Sequence, residues 1–328
     1  MRIAIPRSLL FYRYFPFWES FFSALGYDVV VSKPSTKETL DEGVKASVPD
    51  VCLPIKVALG HVIELANSAD RIFLPRYLSL EPGTYSCPKI IAFTDMAKGT
   101  IENLPPILDP VIDLRKRGNS GEKAFFELGK SLGAKGRSIR EALEGAKVSQ
   151  GLFKEELVSE GPIHSLRKRG MLGFSKRGRN MNGVGTGEAR KLTVGVLGRP
   201  YCLYDSVLSL DLLERLAAQG LSTTTIDCFS YQDVEREAAT LPFSLYWLSA
   251  REIVGGAYLW LKEKAVDGII YLIPFQCGPD ALLSVLVSGK AREARGIPFM
   301  PLVVDEHTGE SGIVTRLEAF LDMLKRRK

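Results

Sequence analysis

The stretch LTVGVLGRPYCLYDSVLSLDLLERLAAQGLSTTTI, residues 192–226, decides the fold class. Leu192–Leu197 is a short apolar run that reads as a strand, and Val207–Gln219 has the apolar spacing of a helix. Gly220 is placed to stop that helix, and Leu221–Ile226 reads as the next strand. The N-terminus follows the same order: strand Arg2–Pro6, aromatic-rich helix Tyr14–Leu25, Gly26, then strand Tyr27–Ser32. Strand, helix, glycine and strand with short connections open a βαβ unit, so the chain duplicates a topology without duplicating its detailed sequence.

Three more apolar runs, Arg71–Pro75, Gly268–Pro274 and Phe299–Val304, have the continuous character of strands covered on both faces. Helical patterns occupy Leu53–Ala66, Phe125–Leu132, Ile139–Val148, Gly255–Lys264, Pro279–Ala294 and Glu310–Lys325. The expected fold class is α/β, with two Rossmann- or flavodoxin-like domains built on parallel sheets. The expected boundaries are an N-terminal domain 1–160, a linker 161–190 and a C-terminal domain 191–328. Seven glycines within 161–187 and no helical periodicity suggest the linker.

Charge supports that division. The 328 residues carry a net +5, yet Arg167–Lys191 alone holds eight basic residues against Glu188, a local +7. The rest of the chain is near neutral, at about −2. With only Phe174 available for stacking, the basic segment reads as a solvated tether, and specific nucleic-acid recognition is not expected. Composition excludes disorder, collagen-like repeats and a small disulfide scaffold. The N-terminus lacks a signal-peptide pattern, and charge-free runs stop at about 13 residues, short of the 18 or so that span a bilayer. A reduced, cytoplasmic protein without membrane contact is expected.

The five cysteines are scattered at 52, 87, 202, 228 and 277, with no close pair. Cys277 comes three residues after a strand and just before a helix. Cys52 stands at the mouth of a helix, and Cys87 lies in a loop a dozen residues after Arg71–Pro75. Each is followed by proline one or two residues on. A helix N-terminus lowers a thiol pKa and favours the thiolate that binds metal. Cys202 and Cys228 read as small core or loop residues. Spacing alone leaves a shared metal site and ordinary buried thiols both open.

The segments IPRSLLFY (5–12), CLPIK (52–56), PRYLSLEPGTYSCPK (75–89), GRPY (198–201), FQCGPD (275–280) and DEHTGESGIVTRLEAF (305–320) together carry a resemblance. The chain resembles the 2-hydroxyacyl-CoA dehydratase-like proteins related to acyl-CoA dehydratase activases, over most of its length outside roughly 100–190. The resemblance implies two Rossmann-like domains with an iron–sulfur cluster in the interdomain cleft. Carried over, the ligands are Cys52, Cys87 and Cys277 on one 4Fe-4S cluster with one iron open. It also implies a separate ATP-hydrolysing activator as electron donor, a small substrate such as an acyl-CoA thioester, and a homodimer. The alternative is a non-enzymatic accessory that uses the same cluster for electron transfer or redox sensing. A zinc-stabilised or metal-free binding module is a third reading.

Other residues have both a functional and a plain reading. Lys56 and Lys89, close to candidate ligands, can offset cluster charge or bind an anionic substrate, or be surface lysines on helix starts. Arg7 and Arg199 occupy the first loop of each half, where an anion docks at a helix N-terminus. Glu306 and His307, with Glu310, suit acid–base catalysis or a helix cap. Glu81 and Tyr85 are candidates to line a pocket near Cys87. Arg316 reads as a brace within the last helix, and His61 as a half-buried structural histidine. The aromatic run Tyr14–Phe22 reads as core or interface.

Overall fold

A computed structural model describes residues 1–115, 121–172, 192–294 and 296–327. It divides into two compact units, Met1–Glu160 with Tyr246–Leu248, and Gly161–Leu245 with Ser249–Lys328. Each is a parallel sheet between helices, the α/β architecture of Rossmann- and flavodoxin-like folds. Among the described residues no helix is long and apolar enough to cross a membrane.

The first unit's sheet contains β1 (Arg2–Ile5), β2 (Asp28–Val31), β3 (Arg71–Phe73) and β5 (Ile107–Leu108), in the order β2-β1-β3-β5. All its pairings are parallel. Beyond β3 and β5 the chain continues as β4 (Arg76–Ser79) and β6 (Val111–Asp113), also a parallel pair. Leu74 N–H donates to Leu108 O and Arg76 N–H to Pro110 O, both at 2.9 Å. Pro75 and Pro110 have no N–H to give, so each ladder is interrupted there and resumes beyond.

The aromatic helix spans Phe11–Ala24 and turns Phe11, Phe15, Trp18, Phe21 and Phe22 inward. Phe22 meets Phe73 edge-on with centroids 5.0 Å apart, and Trp18 Nε1 donates to Tyr77 Oη at 3.1 Å. Those rings are spent on the core, which removes them as an argument for a dimer face. The pattern at 139–148 extends to a 24-residue helix, Gly136–Ser159, packed on the aromatic one.

Two further helices, Lys37–Lys45 and Leu53–Leu65, touch backbone to backbone. A Cβ on Gly43 would lie 1.7 Å from Lys56 O, and one on Gly60 would lie 1.8 Å from Thr39 O. Only glycine fits at either position.

The second unit's sheet is β10-β9-β7-β8, again wholly parallel. Its strands are β7 (Thr193–Leu197), β8 (Ser222–Thr224), β9 (Gly268–Pro274) and β10 (Phe299–Val304). All seven residues of β9 are buried, as its continuous apolar run requires. Two expectations fail here. The helix expected over 207–219 is two pieces, Ser206–Ser209 and Leu212–Ala218, because Leu210 and Asp211 both take left-handed backbone angles. The expected linker starts with a helix, Pro162–Lys168, which belongs to the compact second unit. Pro162 at its first turn is suited to start a helix, and Leu166 and Met171 are fully buried. The rest of that segment, with Phe174, lies outside the described residues.

Candidate functional site

In a doubly wound sheet, ligands bind beyond the strand carboxyl ends where the winding reverses. The first unit reverses between β1 and β3, the second between β7 and β9. In both, the loop at the reversal holds a non-glycine residue at positive φ: Leu9 at 50° after β1, and Gln276 at 69° after β9. Such backbone is uncommon and is often found at functional loops.

In the first unit, Cys52 is the N-cap of helix Leu53–Leu65 and Cys87 the N-cap of the short helix Pro88–Ile91. Proline follows at the first or second helical position in each case, and neither thiol makes a capping hydrogen bond. The two loops adjoin, because Lys89 Nζ donates to Asp50 O at 3.4 Å. Lys56 is only 3% exposed, so its reading as a surface lysine is overturned.

Arg7 ties the ends of β1 and β2 together: its N–H donates to Ser32 Oγ at 2.8 Å, and its Nε to Ser32 O at 3.1 Å. Its guanidinium also lies 5.2 Å over the Phe11 ring. The Glu81 carbonyl accepts from the Ser79 and Thr84 hydroxyls, closing the turn ahead of Cys87. Tyr85 is exposed, with Arg115 5.3 Å over its ring and its N–H bonded to Tyr246 O. A cavity of about 40 Å³ lies at the reversal, walled by Ile5, Leu9, Phe73, Leu74 and Ile90. It is too small for a substrate-sized group.

In the second unit, Cys277 is the N-cap of helix Gly278–Glu293, again with proline at the second position and no capping bond. Three residues on, Asp280 is fully buried and takes both Arg199 Nε (3.2 Å) and Nη2 (2.7 Å). Arg199 Nη1 donates to Ser249 Oγ, and Nη2 lies 4.0 Å from Cys277 Sγ. The Arg199 guanidinium is therefore 5% exposed and turned on Asp280. The expected lowering of the thiol pKa by the helix terminus does not hold at Cys277. Burial, and then the Asp280 carboxylate, push it up to about 12, with Arg199 opposing. In metal-free protein at pH 8, only about one Cys277 in ten thousand should be thiolate. Peptide mapping after brief iodoacetamide treatment should find it almost unmodified, and rapid labelling would contradict this assignment.

Asp305 caps its own loop, accepting from His307 N–H (3.0 Å) and Thr308 Oγ1 (2.7 Å). His307 points to solvent, Glu306 is half-buried, and Glu310 pairs with Arg215 at 2.9 Å. Cys202 is 1% exposed within a short helix, and Cys228 ends a turn of 3₁₀ helix. His61 is fully buried, more deeply than its half-buried reading, with Nε2 bonded to Ser35 Oγ at 2.8 Å.

Asp280 and Ser249 are the site residues that motif reading missed. Asp280 stood inside the quoted FQCGPD segment, and its signal was a carboxylate at the third helical position beside a cysteine. Nothing local marks Ser249. Among the described residues no three His, Cys, Asp or Glu side chains converge into a ready-made metal set. Cys52 and Cys87 belong to the first unit and Cys277 to the second.

Comparison with curated proteins finds no match. A family model does match, over residues 2–229: the CoA enzyme activase uncharacterised domain (DUF2229). That span takes in the whole first unit up to Glu160 and the β7–β8 half of the second sheet. With well over half of its length in the match, the chain belongs to the CoA enzyme activase family defined by this domain.

Proposed function

We propose that the chain is an iron–sulfur component of an acyl-CoA-directed system, with Cys52, Cys87 and Cys277 as ligands of one 4Fe-4S cluster. The observation that carries this reading is positional. Three cysteines from three distant segments each occupy a helix N-cap, each with proline at the first or second helical position and none with a capping bond. Cysteine is a poor N-cap compared with Ser, Asp or Asn, so capping does not account for its use three times. Thiolate sulfur is the usual donor to such a cluster, and three thiolates leave one iron for a substrate or solvent oxygen.

When bound, the cluster supplies one-electron reduction, fed at low potential by a separate ATP-hydrolysing activator. Membership in a CoA enzyme activase family supports that partnership and a CoA thioester as the substrate class. Buried Lys56 and half-buried Lys89 stand four and two residues after the first two cysteines as the cations of this reading. Arg7 stands on the loop at the reversal, where an anionic group docks. Glu306 and His307 stand on the loop after β10 as the acid–base pair of this reading. Reducing, cytoplasmic surroundings go with free thiols and a low-potential cluster.

The second reading, an electron-transfer or redox-sensing accessory, is favoured by one observation: Arg199 is turned on Asp280 and is not open to an incoming anion. Adding activator, reductant and an acyl-CoA separates the two. A substrate-dependent radical signal supports the enzyme, and cluster reduction without one supports the accessory.

The cluster itself is tested by anaerobic purification with iron and sulfide analysis. The expected result is a brown protein with about four irons and four sulfides per chain. Cys277→Ser should lose most of the iron, and Cys202→Ser should keep it. A colourless protein with one zinc per chain, or equal iron loss in both variants, would overturn the assignment.

A further inference from the structure

We infer that the second unit binds an apolar α-amino acid in the cleft between the helices Leu212–Ala218 and Glu310–Arg326, with its ammonium on Glu214 and its carboxylate on Arg215. The cleft holds a cavity of about 180 Å³, against about 40 Å³ for the one in the first unit. Leu216 lines it from the shorter helix. Val314, Leu317 and Leu321, spaced three and four apart on one stripe, line it from the longer. An apolar cavity of about 150 Å³ takes benzene, so this one has room for a branched or aromatic side chain. Ala218 and Gln219 stand at its exposed mouth.

The polar groups at the cavity suit a zwitterion. The Glu214 side chain is 17% exposed, and Arg167 Nη2 is 3.7 Å away, beyond hydrogen-bond distance. Burial, opposed by its own backbone N–H and reinforced by Asp211, holds the Glu214 pKa above its ordinary value. A ligand ammonium supplies the compensation this carboxylate lacks. Arg215 is 11% exposed, and its Nε donates to Leu210 O at 2.6 Å, which fixes the guanidinium. Its Nη2 is buried and lies 2.9 Å from Glu310 Oε2 without a directed hydrogen bond. The Glu310 side chain is 59% exposed, so it returns to water at little cost when a ligand carboxylate takes its place. Consecutive residues of one helix thus offer an anion and a cation beside an apolar wall.

No cysteine lines the cavity, and both helices belong to the second unit, so this site stands or falls without the iron–sulfur reading. Four probes separate its parts. The full chain, methyl-labelled for magnetic resonance, is titrated with L-leucine and with 3-methylbutylamine and 4-methylpentanoate, which lack its carboxylate and its amine. L-serine keeps the charged head without the apolar side chain.

L-leucine should shift the methyls of Val314, Leu317 and Leu321 saturably at concentrations up to about 50 mM. Each half-molecule should bind about tenfold more weakly or worse, because it leaves one charged group unbonded, and L-serine should not bind. Glu214→Gln, which keeps the side chain's shape, should weaken L-leucine about tenfold without weakening 4-methylpentanoate. Ala218→Trp, at an exposed position on the cavity, should abolish L-leucine binding by filling the space. Glu214→Gln decides the matter if Ala218→Trp does not fold. A folded wild type without saturable L-leucine shifts overturns the inference. So does equal affinity for either half-molecule, or L-leucine binding that neither variant changes.

Discussion

Gly60→Ala should destabilise the first unit by more than about 4 kcal/mol, a loss reserved for changes the packing cannot absorb. Alanine is the better helix former by about 1 kcal/mol, so local propensity alone predicts the opposite sign. Geometry decides against it. The new methyl would sit 1.8 Å from Thr39 O and 2.8 Å from Thr39 C, inside the 3.0 Å limit of real Cβ contacts. The obstacle is backbone, so no side chain can swing aside, and the helix Lys37–Lys45 must retreat by more than 1 Å. A close-packed interior loses many dispersion contacts over such a distance. Gly99→Ala is the control, since nothing lies within 4 Å of its Cβ and that helix should gain stability. Urea unfolding read by amide exchange in helix 53–65 measures both. A Gly60→Ala protein within 1 kcal/mol of wild type would contradict the backbone contact.

Acidification is the second large effect, and it acts through His61. Burial, reinforced by the charge of Arg7, lowers its pKa from 6.5 to about 3. Glu64 is 3.9 Å from Nδ1 and accepts the Lys33 N–H, so it gives the ring no close hydrogen bond, and Ser35 bonds only Nε2. The folded unit thus keeps a neutral imidazole while the unfolded chain takes up a proton. A depressed folded pKa means that this stability is complete above pH 6.5 and is lost as the pH falls toward 3. At pH 4 the loss should be about 3 kcal/mol. Urea midpoints at pH 7, 5 and 4 should fall steeply for the wild type and more gently for His61→Gln. Equal slopes would mean that His61 does not control the acid limb.

The strands that were easiest to read in the sequence are those buried on both faces. Gly268–Pro274 and Arg2–Pro6 announce themselves because residues 268–274 and 3–6 are unbroken buried apolar runs. The strands β4, β5 and β6 were missed because Pro75, Pro106 and Pro110 punctuate them, and a proline in a short run argues against a strand. Helix Pro162–Lys168 reads as linker because glycine and basic residues dominate its surroundings, and the burial of Leu166 and Met171 has no local signal in the sequence. The helix over 207–219 looked continuous because Leu210 and Asp211 give no local warning of left-handed backbone. At the site, the cysteine–proline pairs were legible as helix starts. The Arg199–Asp280 pair was not, because its members stand 81 residues apart and only the sheet order makes them neighbours.

That pair also differs from the charges around the first unit's cysteine loops in its response to ionic strength. Lys89, two residues after Cys87, and Arg115, over the Tyr85 ring, are partly exposed, and their electrostatic influence fades as salt shortens the Debye length to about 8 Å at physiological strength. Arg199 and Asp280 lie beneath the surface, beyond the reach of mobile ions. The Arg199–Asp280 pair beside Cys277 should therefore respond to added salt far less than the exposed charges of Lys89 and Arg115 do.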